Sequence, residues 1–476
     1  MVKILYSDDV HLKVDCDAST AQELSDFFTF DVPGAKFMPA VRNKVWDGKI
    51  RLFNSMTRTV YAGLVDYIEE FCKARNYDVE IDPKLQAEVP VGFDVDDLSK
   101  SIGLELEPRD YQKQAVLHCA TKRRCLLLSP TASGKSLIIY MLCRNYPMKK
   151  LLIVPTTGLV HQMASDFEQY GYKDYVHKIT AGADKTTDAE ITVTTWQSIY
   201  KMPRKWFQQF KVVIGDEAHL FKAKSLVSIM SKMQACPYRF GFTGTLDGSQ
   251  THRLVLEGLF GPVHRVTTTN ELMKQELLAS LKINICILGH TESNRQNMAR
   301  EKYKDEINFI VDCKPRNEFL IQMCDHLKGN TLMLFTFVDS HGKVLYNMAK
   351  ELDKKVFFVH GGVKGEVRDQ IRSIVEKEDN ALIVASYGTF STGVNIKRID
   401  NIVFAAPSKS KIRVLQSIGR GLRLAEDKNS IRLYDVVDDL RYKKWNNFVL
   451  RHYTERLKIY NDEQFDYKIH SYKLGD

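Results

Sequence analysis

No stretch of this chain approaches the roughly 18 consecutive apolar residues that a helix needs to cross a bilayer. The opening Met1-Val2-Lys3-Ile4-Leu5-Tyr6-Ser7-Asp8-Asp9 is broken by charge too early for a secretory signal. No Cys-x-x-Cys pair occurs among the nine cysteines, so neither a zinc knuckle nor a redox dithiol is indicated. Most of those cysteines sit beside apolar residues and read as small core side chains in a reducing compartment. No repeat and no low-complexity tract stands out. These absences lead us to expect a cytoplasmic protein without a membrane partner.

What is present is a chain of 476 residues, too long for one ordinary core, with 44% hydrophobic residues to fill two or three. The formal charge is +9, and it is unevenly placed: residues 1–100 carry 12 Lys/Arg against 18 Asp/Glu, so the excess of positive charge follows them. A phosphate-rich partner suits that distribution.

Apolar runs at 125–128, 151–154, 191–195, 212–215 and 239–243 alternate with helical stretches. A second alternating set is Thr331–Phe337, Val356–Val359, Ala381–Ala385, Asn401–Ala405 and Ile431–Val437. Alternation of this kind predicts two tandem parallel-sheet α/β domains. A small α+β domain precedes them, and a short charged helical tail, read as packing on the second domain, follows. The expected boundaries are 1–95, 96–285, 286–440 and 441–476. The segment from 282 to 312 gives no clear pattern, and its polar piece Thr291–Glu306 is expected to link domains or pack between them.

Ser129-Pro130-Thr131-Ala132-Ser133-Gly134-Lys135-Ser136 lies between an apolar run and a helical one. Small residues let backbone N–H groups curl around phosphate oxygens, and the following helix presents its positive end to the same anion. Lys135 would reach the outer phosphates, and the Ser136 hydroxyl would hold Mg²⁺. Ser129 stands where a phosphate loop usually opens with Gly. Further on, the run Val212–Gly215 ends in Asp216-Glu217-Ala218-His219. Asp216 is suited to the metal's water shell, and Glu217 to orienting and deprotonating an attacking water. In Gln416-Ser417-Ile418-Gly419-Arg420-Gly421-Leu422-Arg423, two arginines three apart suit neutralisation of a phosphoryl group in transfer. Upstream, Arg109-Asp110-Tyr111-Gln112 offers an amide that pairs with adenine's N7/N6 edge, favouring ATP, with Tyr111 placed to stack.

In the leading domain, Lys36 to Arg58 carries six basic residues (Lys36, Arg42, Lys44, Lys49, Arg51, Arg58) and one acid, Asp47. Phe37, Trp46 and Phe53 are interleaved with them. Two readings stay open: basic groups following a phosphate backbone while aromatics stack on bases, or a hairpin with its aromatics in the core and its lysines solvated.

Taken together, these pieces resemble the superfamily 2 helicases of the DExH type. Arg109, Tyr111 and Gln112 are similar to the family's adenine-reading motif, Ser129–Ser136 to motif I, and Asp216–His219 to motif II. Thr243-Gly244-Thr245 resembles motif III, and Gln416–Arg423 motif VI. Pro155-Thr156-Thr157 and Thr194-Thr195-Trp196-Gln197 resemble the nucleic-acid-facing motifs Ia and Ib. Leu334–Phe337, with Thr336, resembles motif IV, and Ser386–Ile396, with Thr389 and Gly393, motif V. The resemblance implies RecA-like motor domains. It also implies Thr131, Ala132, Ser133, Gly134 and Gly393 around the nucleotide, and coupling roles for His219, Thr243, Thr245 and Gln416. Thr156, Thr157, Thr195, Trp196, Gln197, Thr336 and Thr389 would contact nucleic acid, with Lys36, Arg42, Lys44 and Trp46 in the leading domain.

The leading Phe37-x-Pro39 and Trp46-Asp47-Gly48-Lys49-Ile50-Arg51 are similar to recombination helicases of T4-like phages. That likeness implies an ATP- and Mg²⁺-dependent enzyme that unwinds or branch-migrates forks, junctions and RNA–DNA hybrids such as R-loops. Single-stranded DNA and recombination or single-strand-binding proteins would be its partners, and a host cell's cytoplasm its location if phage-encoded. The alternatives are a duplex translocase and an ATP-regulated nucleic-acid binding or annealing protein.

Overall fold

The apolar runs form strands because both faces of each are covered. In the computed structural model, Arg124–Leu128, Lys150–Val154, Ile191–Thr195, Val212–Gly215 and Tyr238–Thr243 are parallel neighbours in one seven-stranded sheet. Its edges are Val263–Arg265 and Val176–Ile179, two short strands with no apolar run long enough to announce them. The structure describes residues 1–32, 34–85, 93–222, 224–246, 250–389, 396, 398–406, 410, 414–415, 417–419, 422 and 430–475.

A second all-parallel seven-stranded sheet runs, edge to edge, Val356–Val359, Leu382–Ser386, Thr331–Phe335, Asn401–Phe404, Ser430–Asp439, Ser280–Gly289 and Tyr467–Lys473. The fold is therefore the expected pair of RecA-like α/β domains with a small α+β domain before them and a helical tail, Phe448–Asp462, after them.

Three of the expected boundaries need correction. The main break in the chain falls between Thr267 and Thr268. The expected boundary at 285/286 would cut strand Ser280–Gly289 in half. That strand alternates Leu281, Ile283 and Ile285 with polar residues, and it pairs in register with Ser430–Asp439 along its whole length. The polar stretch after it is no linker. It forms helices Glu292–Met298 and Tyr303–Asp312 within the second unit, where buried Glu306 accepts hydrogen bonds from the Phe448 and Val449 backbone N–H groups at 2.8 and 2.7 Å. The tail from 441 onward also does more than extend the chain, because its last strand forms the sheet edge beside Ser280–Gly289.

The third correction concerns residues 1–95. They form a four-stranded sheet of Thr59–Tyr61, His11–Asp15, Val2–Tyr6 and Val79–Ile81, backed by helices Ala18–Phe27 and Val65–Ala74. This sheet shares one continuous core with the first motor sheet: Leu64, Ile68 and Phe71 belong to the same apolar cluster as Leu256, Leu259 and Phe260. Backbones nearly touch there. A Cβ on Gly63 would lie 1.9 Å from the Glu257 carbonyl oxygen, and one on Gly258 2.9 Å from Tyr61. The Tyr67 hydroxyl donates to the buried Glu257 carboxylate at 2.7 Å, and Arg124 donates to the Asp9 carbonyl at 3.2 Å. The leading domain and the first motor domain are one compact unit. The acidic stretch at Asp94–Asp97 starts helix Val95–Ser101, with the Asp94 carboxylate accepting from the Asp96 and Asp97 N–H groups.

Candidate nucleotide site and nucleic-acid surfaces

Phosphate loops sit where a parallel strand gives way to a helix, and Ser129–Ser136 does so between strand Arg124–Leu128 and helix Lys135–Asn145. The loop turns back on itself. Ser133 donates through its hydroxyl to the Pro130 carbonyl at 2.7 Å, while Ala132 and Gly134 adopt left-handed backbone at φ +67° and +77°. A Cβ on Gly134 would lie 2.4 Å from Gln112 Nε2, so the Gln112 amide would have to move aside. The Gln112 amide donates to the Gly134 carbonyl at 3.4 Å and accepts from the Arg109 N–H at 2.9 Å. Arg109 in turn donates to the Tyr111 hydroxyl at 2.9 Å. The three residues expected to read adenine thus stand together at the start of helix Asp110–Lys122, with Gln112 against the phosphate loop.

Asp216 follows strand Val212–Gly215, held by its backbone N–H to the Ile153 carbonyl at 2.9 Å. Its carboxylate is buried. Burial pushes its pKa up to about 6, Lys135 works against that rise, and Glu217 adds to it. A buried carboxylate beside the loop is suited to a cation, which would relieve the cost of holding its charge out of water. With the Ser136 hydroxyl it fits a nucleotide-bound Mg²⁺ that keeps its own waters and takes few protein ligands. Among the described residues no group of three or more His, Cys, Asp or Glu side chains is arranged to hold a metal without such a nucleotide.

From the loop, side chains connect to the end of a neighbouring strand. Lys135 Nζ lies 3.7 Å from Glu217 Oε1, and Glu217 Oε2 lies 3.3 Å from His219 Nδ1. His219 Nδ1 is 3.1 Å from Thr243 Oγ1, which donates to the Thr245 carbonyl at 2.8 Å. Glu217 reaches both neighbours from a left-handed backbone at φ +50°, a conformation that costs a non-glycine residue on the order of 1 kcal/mol or more. Thr243 also receives the Ser129 N–H on its carbonyl at 2.9 Å, which closes the circuit back to the phosphate loop. Of the residues expected to act on ATP, Lys135, Ser136, Asp216, Glu217, His219, Thr243 and Thr245 are all carried by the first unit. Gly393, Gln416, Arg420 and Arg423 lie outside the described residues.

The expected nucleic-acid residues divide by exposure. Thr157, Gln197 and Thr336 are exposed. Thr156 is the N-cap of helix Thr157–Gln169, accepting from the Leu159 N–H at 3.3 Å. Thr195 and Thr389 are buried, with hydroxyls 3.0 Å from Ser198 Oγ and 2.8 Å from Ser386 Oγ. Trp196 is half-buried and packs edge-on to Tyr200. In the leading domain the aromatics of the basic segment divide by burial. Phe53 belongs to the core, whereas Phe37 is 74% exposed alongside exposed Lys36, Arg42 and Lys44. Trp46 is half-buried and donates to the Lys49 carbonyl at 2.9 Å across the turn at Gly48. Strand Lys49–Arg51 pairs with Thr29–Asp31, so the segment is one arm of a ribbon rather than a hairpin by itself.

One neighbour of the site comes from a distant part of the chain. The Tyr170 hydroxyl lies 3.2 Å from Ser136 Oγ, brought there by the C-terminal end of helix Thr157–Gln169. A tyrosine 34 positions along the chain gives no local signal of that contact.

Comparison with known proteins covers most of the chain. Residues 1–82 match the family described as DNA helicase UvsW, N-terminal; residues 105–248 match Type III restriction enzyme, res subunit; and residues 315–425 match Helicase conserved C-terminal domain. The chain is 36% identical over 502 aligned positions to the ATP-dependent DNA helicase uvsW of Enterobacteria phage T4, covering 99% of this chain and 100% of that one. It is 23% identical to the DNA 3'-5' translocase XPB2 of Sulfurisphaera tokodaii over 70% of this chain and 82% of the relative. Among solved structures, that of T4 UvsW aligns over 100% of both chains with a TM-score of 0.52 at 34% identity. The DNA-bound restriction-modification enzyme LlaBIII shares the fold at a TM-score of 0.58 and 14% identity, over 85% of this chain and 34% of the other.

Proposed function

The chain belongs to the UvsW family of superfamily 2 ATP-dependent DNA helicases, and from that premise we propose that it remodels branched DNA and RNA–DNA hybrids through the site built around Lys135. The observation that carries the reading is the side-chain connection Lys135–Glu217–His219–Thr243. It joins the group that would touch ATP to a segment that would report nucleotide state.

Lys135 binds the outer phosphates, which replace the Glu217 carboxylate as its partner. Glu217 is then released to orient the attacking water and take its proton. Ser136 and Asp216 would hold Mg²⁺, which would neutralise charge on the phosphate oxygens. Gln112 selects adenine, with Arg109 and Tyr111 beside it. Arg420 and Arg423 neutralise the phosphoryl group in transfer. His219, Thr243, Thr245 and Gln416 pass the state of the nucleotide to the segments that grip one strand's phosphates. Thr157, Gln197 and Thr336 are exposed for that grip, which fixes register without reading sequence. Lys36, Phe37, Arg42 and Lys44 add a basic, aromatic surface on the leading domain, suited to the duplex or the displaced strand. Recombination and single-strand-binding proteins are the partners we propose, in the cytoplasm of a host cell.

The test is ATPase and strand displacement on single-stranded DNA, blunt duplex, fork, four-way junction and R-loop. Forks, junctions and R-loops are expected to be processed faster than blunt duplex, and equal rates on all five would refute the substrate assignment. Lys135→Ala should abolish turnover. Arg420→Ala should still bind ATP but hydrolyse it on the order of 10³-fold more slowly; a near-normal rate would remove it from the site. Because the leading domain shares its core with the motor, its contribution is best tested by Lys36→Glu and Arg42→Glu rather than by deletion.

A further inference from the structure

Tyr170 caps the end of helix Thr157–Gln169, its N–H donating to the Asp166 carbonyl at 2.9 Å. Its ring is held in place by helix Lys135–Asn145. Tyr140, one turn beyond Ser136 on that helix, packs against Tyr170 with ring centroids 5.4 Å apart, and Phe167 packs on Tyr140 at 5.3 Å. The result is a fixed phenol oxygen 3.2 Å from Ser136 Oγ.

A serine hydroxyl has one proton and two lone pairs. It serves as a cation ligand only when a lone pair points at the cation, which requires its proton to be directed elsewhere. A hydroxyl rotor in an open loop is not directed. One with an acceptor anchored on the opposite side is. Second-sphere hydrogen bonds of this kind set the orientation of ligands in metal sites generally.

We propose that Tyr170 is a positioning residue for the divalent cation of bound ATP: its phenol oxygen accepts the Ser136 proton and turns a Ser136 lone pair into the phosphate loop. This rests on the reading of Ser136 as a cation ligand. The group touching the cation is Ser136; Tyr170 acts through it. The same tyrosine ends the helix that begins at Thr156 and Thr157, so a shift of that helix on nucleic-acid binding would move the acceptor and change how firmly the cation is held.

The experiment uses the full chain and reads binding rather than turnover. A fluorescent ATP analogue is titrated at fixed free Mg²⁺ and again in EDTA, for wild type, Tyr170→Phe, Ser136→Ala and the double variant. Tyr170→Phe keeps the ring packed on Tyr140 and removes only the oxygen. The free Mg²⁺ at half-maximal binding should rise about tenfold in Tyr170→Phe, with affinity in EDTA within twofold of wild type. In the Ser136→Ala background the same substitution should have no further effect. Mn²⁺ binding to the protein–nucleotide complex, followed by electron paramagnetic resonance, should weaken in parallel. An unchanged Mg²⁺ midpoint in Tyr170→Phe would overturn the proposal. So would an equal loss of affinity in EDTA, which would make the residue a packing element only. Wild-type protein that bound the analogue equally with Mg²⁺ and in EDTA would instead refute Ser136 as a cation ligand, and the proposal with it.

Discussion

Replacing Gly63 by Ala tests the contact that makes the leading domain part of the motor. The added Cβ would lie 1.9 Å from the Glu257 carbonyl oxygen, about 1.5 Å inside ordinary van der Waals contact at 3.4 Å. The opposing atoms are backbone, including the Gly258 carbonyl oxygen at 2.9 Å, so no rotamer change relieves the clash. The two elements must separate. Overpacking of this kind costs about 1–3 kcal/mol. Separation also stretches the 2.7 Å bond from Tyr67 to Glu257, whose carboxylate is only 1% exposed, and a lost hydrogen bond to a buried charge costs about 1.5–3 kcal/mol more. The expected loss is about 3–5 kcal/mol, a large part of the roughly 5–15 kcal/mol that holds a typical domain. Urea denaturation of the full chain, followed by tryptophan fluorescence, measures it. Gly365→Ala is the control: that glycine begins helix Gly365–Val375 with no atom within 4 Å of a built Cβ, so the change should leave stability the same or slightly higher. A Gly63→Ala protein within about 1 kcal/mol of wild type would refute the close approach as a determinant of stability.

Thr243→Val removes the hydroxyl that meets His219 and the Thr245 carbonyl. It should leave DNA-stimulated ATPase largely intact while strand displacement falls severalfold, and equal losses in both assays would count against a coupling role. The second unit should lose stability in alkali. Burial alone would lower the His290 pKa, but its hydrogen bond and charge pairing with Asp438 outweigh burial and raise it to about 9. Its contribution, on the order of 3 kcal/mol, is full below the unfolded value near 6.5 and is lost as pH rises through about 9. Asp438 runs the other way. Burial would raise it, yet Arg316 and His290 bring it down to about 2, so its contribution is full above 3.8 and is lost as pH falls through about 2. Denaturation midpoints measured from pH 6 to 10 should decline in wild type and stay flatter in His290→Gln; parallel curves would show that the pair does not titrate as the geometry requires.

Residue type and short spacing are enough for part of this architecture. A phosphate loop is legible because its turn, its lysine and the helix after it are contiguous, and Asp216-Glu217 because an acid pair ends an apolar run. Runs buried on both faces, such as Leu151–Val154, announce themselves without their partners. Features that rest on residues distant in the chain depend on how the fold brings them together. Strand Ser280–Gly289 alternates in polarity and was legible only once Ser430–Asp439 lay beside it. Strand Tyr467–Lys473 is mostly exposed and owes its existence to backbone pairing, which leaves no mark on side-chain pattern. The fusion of the leading domain to the motor rests on Gly63 meeting Gly258 across nearly 200 residues, and two glycines carry no sign of each other. The placement of the Tyr170 hydroxyl against Ser136 is decided in the same way, by how two helices pack. Chemistry that a residue carries with it can be read along the chain; chemistry that depends on where a partner's atom is held needs the fold.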